Sequence, residues 1–313
     1  MIVDLGLVAA GLVLLLLAGD LLVRGAVNLA LRLGIPALMV GMTVVAFGTS
    51  APELLVSVQA VLRDADGLAL GNVVGSNIAN ILLVIGLPAL IAPMVMGRES
   101  QRDYVIMLLA TVLFGALALT GAIGLWQALV LLVAFALFMT ESILRARRAR
   151  AAPETLEGAD PGLATPKLAL FLGLGIVGLP LGAHLLVTGA VDIAETLGVS
   201  DVVIGLTIVA VGTSLPELAT TFMAAWRREG GVALGNILGS NIFNLLFILG
   251  VAGLFGRIDI PPQVMVLDYW VMAAAALVIG PILWTGRAVG AGFGVVLLLG
   301  YAGYLWALVV TGG

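Results

Sequence analysis

"VGTSLPELATTF", residues 211–222, lies inside a long apolar run and holds one glycine, one proline, four hydroxyl side chains and one carboxylate. Such residues are poor choices for a buried helix. Proline costs about 3 kcal/mol in a helix interior, through a lost hydrogen bond and a ring clash. A carboxylate at the centre of a bilayer costs roughly 3 kcal/mol more. The pattern occurs twice: "GTSAPELLVS" at 48–57 recurs as "GTSLPELATT" at 212–221. Pro52, Glu53, Pro216 and Glu217 together cost on the order of 12 kcal/mol, comparable with a whole folding free energy of about 5–15. A feature that expensive implies an offsetting role.

The surrounding chain says what kind of protein bears it. Of 313 residues, 62% are hydrophobic and 10% charged, with a mean hydropathy of +1.21. Soluble domains carry about a quarter charged residues, so the composition excludes a globular enzyme and implies several membrane spans. Cysteine is absent and His184 is the only histidine. That removes disulfides, thiol chemistry and multi-histidine metal clusters. Apolar runs of about 20 residues predict ten spans, at 3–24, 36–62, 68–92, 104–121, 124–144, 167–192, 201–225, 232–254, 264–284 and 290–311. The N-terminus lacks a basic region and a small-residue cleavage site, so it reads as a retained first span. The polar stretch 145–166 reads as a linker between a first half, 1–144, and a second half, 167–313. With that linker cytoplasmic, 12 of the 14 basic residues lie inside and only Arg63 and Arg257 outside, which places both termini outside.

A second motif, "GNVVGSNIANILLVIG" at 71–86, recurs as "GNILGSNIFNLLFILG" at 235–250. The offsets 212 − 48 and 235 − 71 are both 164, and 33 of 66 aligned pairs between 21–86 and 185–250 are identical. This is a duplication. Five spans, an odd number, separate equivalent points, so the copies are inverted. Inverted repeats with broken helices build secondary transporters, with the substrate at the midplane between them. The expected fold is therefore an all-α membrane protein with ten transmembrane helices in two inverted five-helix repeats and discontinuous motif helices.

Each motif reads as a break. Gly48 and Gly212 permit unwinding, and Pro52 and Pro216 suit the first turn of the resumed helix. Unwinding frees the carbonyls of Ala46 and Ala210 as cation ligands. Thr49 and Glu53 are four apart, as are Thr213 and Glu217, and likewise Ser76 with Asn80 and Ser240 with Asn244; each pair shares a helix face. The outcome is a ring of oxygens with two negative charges and no sulfur, which selects hard cations. Ca²⁺ fits better than Mg²⁺, which keeps its waters; Na⁺, similar in radius to Ca²⁺, competes for the same oxygens. Asn72, Asn77, Asn236 and Asn241 read as braces for neighbouring helices. Asp20 and Arg24 read as a local ion pair, Glu141 as a partner of the adjacent basic cluster, and Trp and Tyr as interfacial anchors.

These residues resemble the α-repeats of the calcium:cation antiporter superfamily, specifically prokaryotic Na⁺/Ca²⁺ exchangers. The resemblance spans both halves and both motifs. It implies ion ligands at Thr49, Ser50, Glu53, Ser76 and Asn80, at Thr213, Ser214, Glu217, Ser240 and Asn244, and at the carbonyls of Ala46 and Ala210. Asn244 stands where many relatives, including K⁺-dependent exchangers, have Asp, which argues against K⁺ co-transport. "GNVVGSN" and "GNILGSN" lack the extra Glu of H⁺/Ca²⁺ exchangers, which favours Na⁺. The implied function is exchange of Na⁺ for Ca²⁺ across a prokaryotic inner membrane, with spans one and six sliding past the motif-bearing bundle. Ca²⁺ and Na⁺ are the substrates; no cofactor, nucleic acid or obligate protein partner is implied. H⁺/Ca²⁺ exchange on the same fold is the nearest alternative and a passive cation channel a more distant one. An intramembrane enzyme is disfavoured, because no nucleophile–base pair accompanies either motif.

Overall fold

The computed structural model describes residues 2–95, 97, 100–149, 160, 163–197, 210–262 and 264–312. These residues form twelve helical elements. The first half holds α1 (Ile2–Leu33), α2 (Ala37–Thr49), α3 (Ala51–Val61), α4 (Asp66–Ala89), α5 (Gln101–Ala118) and α6 (Leu125–Ala149). The second holds α7 (Thr165–Thr196), α8 (Ala210–Thr213), α9 (Leu215–Trp226), α10 (Gly230–Phe255), α11 (Val264–Thr285) and α12 (Ala291–Gly312). Among the described residues eight helices are long and apolar enough to cross a membrane, or nine if the bent pair α2–α3 is one span. Helices dominate because lipid offers no hydrogen bonds, so each backbone group must find its partner within its own segment. The expected seventh span, 201–225, begins outside the described residues at 201–209, so the count of ten rests on it.

Two short antiparallel pairs stitch the halves together. Met94–Val95 (β1) pairs with Ala288–Val289 (β4), and Ala122–Ile123 (β2) with Ile258–Asp259 (β3).

α1 and α7 occupy equivalent places in the repeat and pack along one another. Gly11 faces Gly182 and Leu186, Gly175 faces Leu22, Gly25 faces Leu172 and Gly189 faces Asp4. Numbers rise along one helix as they fall along the other, so the pair is antiparallel, as the odd span offset requires. A Cβ on Gly11 or Gly189 would lie 2.5 Å from the opposite backbone. With lipid as apolar as leucine, small residues and close backbone approach hold such helices together.

α4 and α10, by contrast, are the buried centre. Within them Ala69, Leu70, Val73 and Ile78, and Val232, Ala233, Ile237 and Ile242, are fully enclosed. Tyrosine and tryptophan differ in burial. Trp126, Trp226, Trp270, Trp284 and Trp306 are exposed, whereas Tyr104, Tyr301 and Tyr304 are buried. The tyrosines are therefore core residues, and Tyr304 finds a partner for its hydroxyl in Asp268 at 3.1 Å; a buried O–H needs one.

Charged side chains pair at the helix ends. Asp20 binds Arg24 at 2.9 Å, as expected, and also Arg227. Glu141 binds Arg102 at 2.7 Å and Arg145 at 3.0 Å, and Arg145 reaches the buried Asp103. Arg257 pairs with Asp259 at 2.8 Å.

Candidate functional site

The two motif helices break at equivalent serines. Ser50 has φ −86° and ψ 8°, Ser214 φ −85° and ψ 4°, in the sparsely populated bridge region. α2 and α3 meet there at a bend of 46°. Pro52 and Pro216 fall in the first turn of the resumed helix, where no N–H partner is lost. Glu53 and Glu217 share that first turn, so the partial positive charge of each helix start meets a carboxylate.

Two details differ from expectation. Gly48 and Gly212 do not unwind; each stays in a helical turn, Ala46–Thr49 and Ala210–Thr213. Their lack of a side chain instead admits α7: a Cβ on Gly48 would meet Ile176 at 2.9 Å and one on Gly212 would meet Val187 at 2.5 Å. Nor is the Ala46 carbonyl freed. It accepts the Ser50 N–H at 3.0 Å and the Thr49 hydroxyl at 3.3 Å, because the chain bends after the last α-helical bond closes. Ala210 opens the turn before Ser214, whose N–H donates to the Val211 carbonyl at 3.1 Å.

The breaks and the "GSN" segments of α4 and α10 converge between the halves. The Ser50 hydroxyl donates to Glu217 Oε1 at 2.9 Å and lies 3.1 Å from Ser240 Oγ. Ser240 reaches the same carboxylate oxygen at 3.4 Å. Thr49 donates to Asn236 Oδ1 at 3.1 Å, and Asn80 Nδ2 to Asn241 Oδ1 at 3.2 Å. Thr49, Ser50, Glu53, Ser76, Asn80, Ser214, Glu217, Ser240 and Asn244 are all at most 3% exposed; Thr213 is half-buried. Within this set Glu53 Oε2, Ser76 Oγ, Asn80 Oδ1, Ser214 Oγ, Glu217 Oε2 and Asn244 Oδ1 have no hydrogen-bond partner.

Asn72 and Asn236 brace the site symmetrically. Asn72 Nδ2 donates to the Glu53 carbonyl at 3.0 Å and to Ser57 Oγ at 2.8 Å. Asn236 does the same with the Glu217 carbonyl at 3.3 Å and Thr221 at 3.1 Å. Asn77 ties to its own helix at Val73, and Asn241 rests on Met107. Sequence reasoning assigned the bracing asparagines but missed Asn236 as a partner of Thr49. It also missed Thr220, a fully buried hydroxyl without a partner one turn beyond Glu217, where the first repeat has Val56. His184 is exposed on α7, away from both motifs.

The electrostatics are lopsided. Glu53 and Glu217 feel each other's charge, yet among the described residues neither pairs with Arg, Lys or His; the ion pairs go to Asp20, Asp103, Glu141 and Asp259. Among the same residues no group of three or more His, Cys, Asp or Glu gathers. Two buried carboxylates without a cationic side chain carry a desolvation penalty of several kcal/mol each. A positive species from outside offsets it, either a proton on a carboxylate or a metal cation held by the unpartnered neutral oxygens.

Fold and site define a two-repeat integral membrane protein with an acidic, all-oxygen centre. The family described as "Sodium/calcium exchanger protein" matches residues 3–144 and 167–310, and the chain belongs to that family of membrane cation exchangers. It is 36% identical to the inner membrane protein YrbG of Escherichia coli (strain K12), over 97% of this chain and 96% of that protein. It is 34% identical to the sodium/calcium exchanger MaX1 of Methanosarcina acetivorans, over 95% and 96%. The solved structure of the sodium-calcium exchanger NCX_Mj soaked with 10 mM Na⁺ and 10 mM Sr²⁺ superposes with a TM-score of 0.84 at 31% identity, covering 99% of this chain and 98% of that one.

Proposed function

We propose that the protein exchanges Na⁺ for Ca²⁺ by alternating access, with Na⁺ entry driving Ca²⁺ export. The observation that carries this reading is the pair Glu53 and Glu217, buried to 1% exposure without a basic partner and ringed by neutral oxygens. Glu53 and Glu217 supply the charge. Hydroxyls of Thr49, Ser50, Ser76, Thr213, Ser214 and Ser240, amides of Asn80 and Asn244, and the Ala210 carbonyl complete the coordination; the Ala46 carbonyl, whose two lone pairs take the Ser50 N–H and the Thr49 hydroxyl, joins only when the Thr49 hydroxyl turns away. Two carboxylates balance one Ca²⁺, and the hard oxygen set suits Ca²⁺ and Na⁺ alike.

In this reading each broken motif helix is one discontinuous span, giving ten in all. The 145–166 linker is cytoplasmic and both termini face outward. The antiparallel pair α1–α7, packed through glycines, is the moving unit, and α4 and α10 are the fixed centre. NCX_Mj was studied with Na⁺, Ca²⁺ and Sr²⁺, which supports the same cation set here.

The test is ⁴⁵Ca²⁺ uptake into Na⁺-loaded proteoliposomes. Uptake is expected to need the outward Na⁺ gradient and no K⁺. Uptake driven equally well by a pH gradient without Na⁺ would transfer the protein to proton-coupled exchange, and sustained flux without any counter-ion would make it a channel.

A further inference from the structure

A groove runs along the first motif span, and none of the proposed ion ligands lines it. Two cavities of about 420 and 370 Å³ meet at Thr43. One wall is α6, which presents Phe135, Met139, Ser142 and Ala146; spacings of three and four put them on one helix face. The other wall is the stretch from Ile35 to Phe47. Eleven residues separate Phe135 from Ala146, so the groove is about 16 Å long at 1.5 Å per residue. It is narrow and apolar, and lies within segments that cross the membrane. Its inner end is closed by aromatic rings, with Phe135 at 4.8 Å from Phe243 and 4.9 Å from Phe247.

The other end is basic. Beyond Ala146, α6 continues into Arg147 and Arg148, and Arg32 precedes Leu33 on the facing wall. Arg148 and Arg32 are exposed; Arg32 donates to the Thr165 hydroxyl at 2.7 Å and to the Leu163 carbonyl, and among the described residues Arg148 makes no ion pair. A further observation lies between the basic mouth and the aromatic floor. Ser142 lines the groove, is 1% exposed, and its hydroxyl has no hydrogen-bond partner. A buried O–H in an apolar wall is costly unless something meets it.

We infer that this groove binds one anionic phospholipid. The acyl chain lies between α6 and the motif span, down to the Phe135–Phe243–Phe247 floor. An ester oxygen meets Ser142, and the headgroup phosphate sits at Arg148, beside Arg32. Basic residues at a membrane surface attract anionic headgroups, and an apolar slot of this length matches most of an extended chain. Ile176 of α7, which also packs on Gly48, lines the same groove, so the lipid touches a helix of the proposed moving pair.

The experiment is native mass spectrometry of the intact protein after detergent exchange, with phosphatidylglycerol, phosphatidylcholine of equal chain length, or inorganic phosphate added back. Wild type is expected to retain one phosphatidylglycerol and no phosphate. Filling the slot with Met139→Trp, or more gently with Ala146→Leu, should cut retention at least five-fold, and Ser142→Ala two- to three-fold. Leu137→Trp on the opposite, lipid-exposed face of α6 should leave it unchanged. Melting curves establish that each variant is folded. Equal loss from Leu137→Trp and Ala146→Leu, or no retained lipid in folded wild type, overturns the site. Equal retention of phosphatidylcholine overturns its anionic preference. A change of oligomeric mass in Ala146→Leu gives the groove to a second copy of the chain.

Discussion

Ser50 of the first repeat reaches across to Glu217 and Ser240 of the second. Its counterpart Ser214 has no partner, and neither do Ser76 Oγ or Glu53 Oε2, the three groups that symmetry would bring together. Identical residues at an offset of 164 thus form a closed triad in one half and an open one in the other. The packing of the motif glycines is just as uneven. Gly48 and Gly212 both pack on α7, at Ile176 and Val187, although strict symmetry would give one of them to α1. In the proposed alternating access an inverted repeat lets the two halves exchange roles, and the structure holds them in unequal arrangements. That inequivalence is what alternating access requires.

The largest effect tests what the halves share. Glu53→Gln and Glu217→Gln should each reduce Ca²⁺ transport at least a hundred-fold in the ⁴⁵Ca²⁺ assay. Each leaves one negative charge facing a divalent ion in a cavity of low dielectric, where Coulomb terms are large. Near wild-type flux in either variant would show that neutral oxygens hold the ion and that the carboxylates only complement the helix starts.

Next come the braces, which donate the same two bonds in each repeat. Asn72→Ala and Asn236→Ala each remove those two hydrogen bonds around the glutamate, and Asn236→Ala also removes the acceptor of the Thr49 hydroxyl. A buried bond lost this way costs about 1–2 kcal/mol, so Asn72→Ala should lose roughly 2–4 kcal/mol of stability in urea unfolding and Asn236→Ala more. A smaller loss from Asn236→Ala than from Asn72→Ala would refute that ordering.

The open and closed triads are separated by smaller changes. Ser50→Ala deletes a bond to a charged acceptor, worth about 1.5–3 kcal/mol, and should lower the melting temperature without Ca²⁺. Ser214→Ala deletes nothing that is made in this state and should leave that melt unchanged. With Ca²⁺ present both should weaken binding. Equal destabilisation without Ca²⁺ would show that the asymmetry does not survive in solution.

Why this asymmetry was invisible beforehand is instructive. The motif breaks, the duplication and the donor set are local or periodic, so they stand in the sequence: "GTS.PEL" and "GNxxGSN" name almost every oxygen at the centre. The bracing of Glu53 and Glu217 by Asn72 and Asn236 was legible for the same reason. The triads carry the same letters in both halves, so nothing in them says which one closes. Glycine's role was misread because Gly48 and Gly212 serve contacts with Ile176 and Val187, more than a hundred residues away or on a different span. The buried tyrosines escaped because composition at a span end does not reveal which face of the helix is turned inward.

The smallest effect concerns the ion pairs of α1 and α7 with the motif-bearing helices. Asp20 on α1 bonds Arg24 of its own helix and Arg227 at the end of α9, so it ties α1 to the motif-bearing bundle. In the other repeat the equivalent places hold His184 and Arg63. Both are exposed, and among the described residues neither has a charged partner. One end is therefore latched and the other is not. The latch residues are 19–46% exposed, and solvent screening limits such a pair to about 1 kcal/mol, which corresponds to roughly a five-fold shift between two states. The chain has no cysteine, so a single Val23→Cys beside Arg24 and Arg227 gives a clean reporter. Asp20→Asn or Arg227→Gln should raise its labelling by an impermeant maleimide about five-fold. His184→Asp, which gives α7 a carboxylate at the repeat position of Asp20, should lower it by offering Arg63 the partner that Arg227 has. Labelling that rises in all three variants would refute the latch, because a local loosening around Val23 would then explain the first two and the designed pair would have no directional effect.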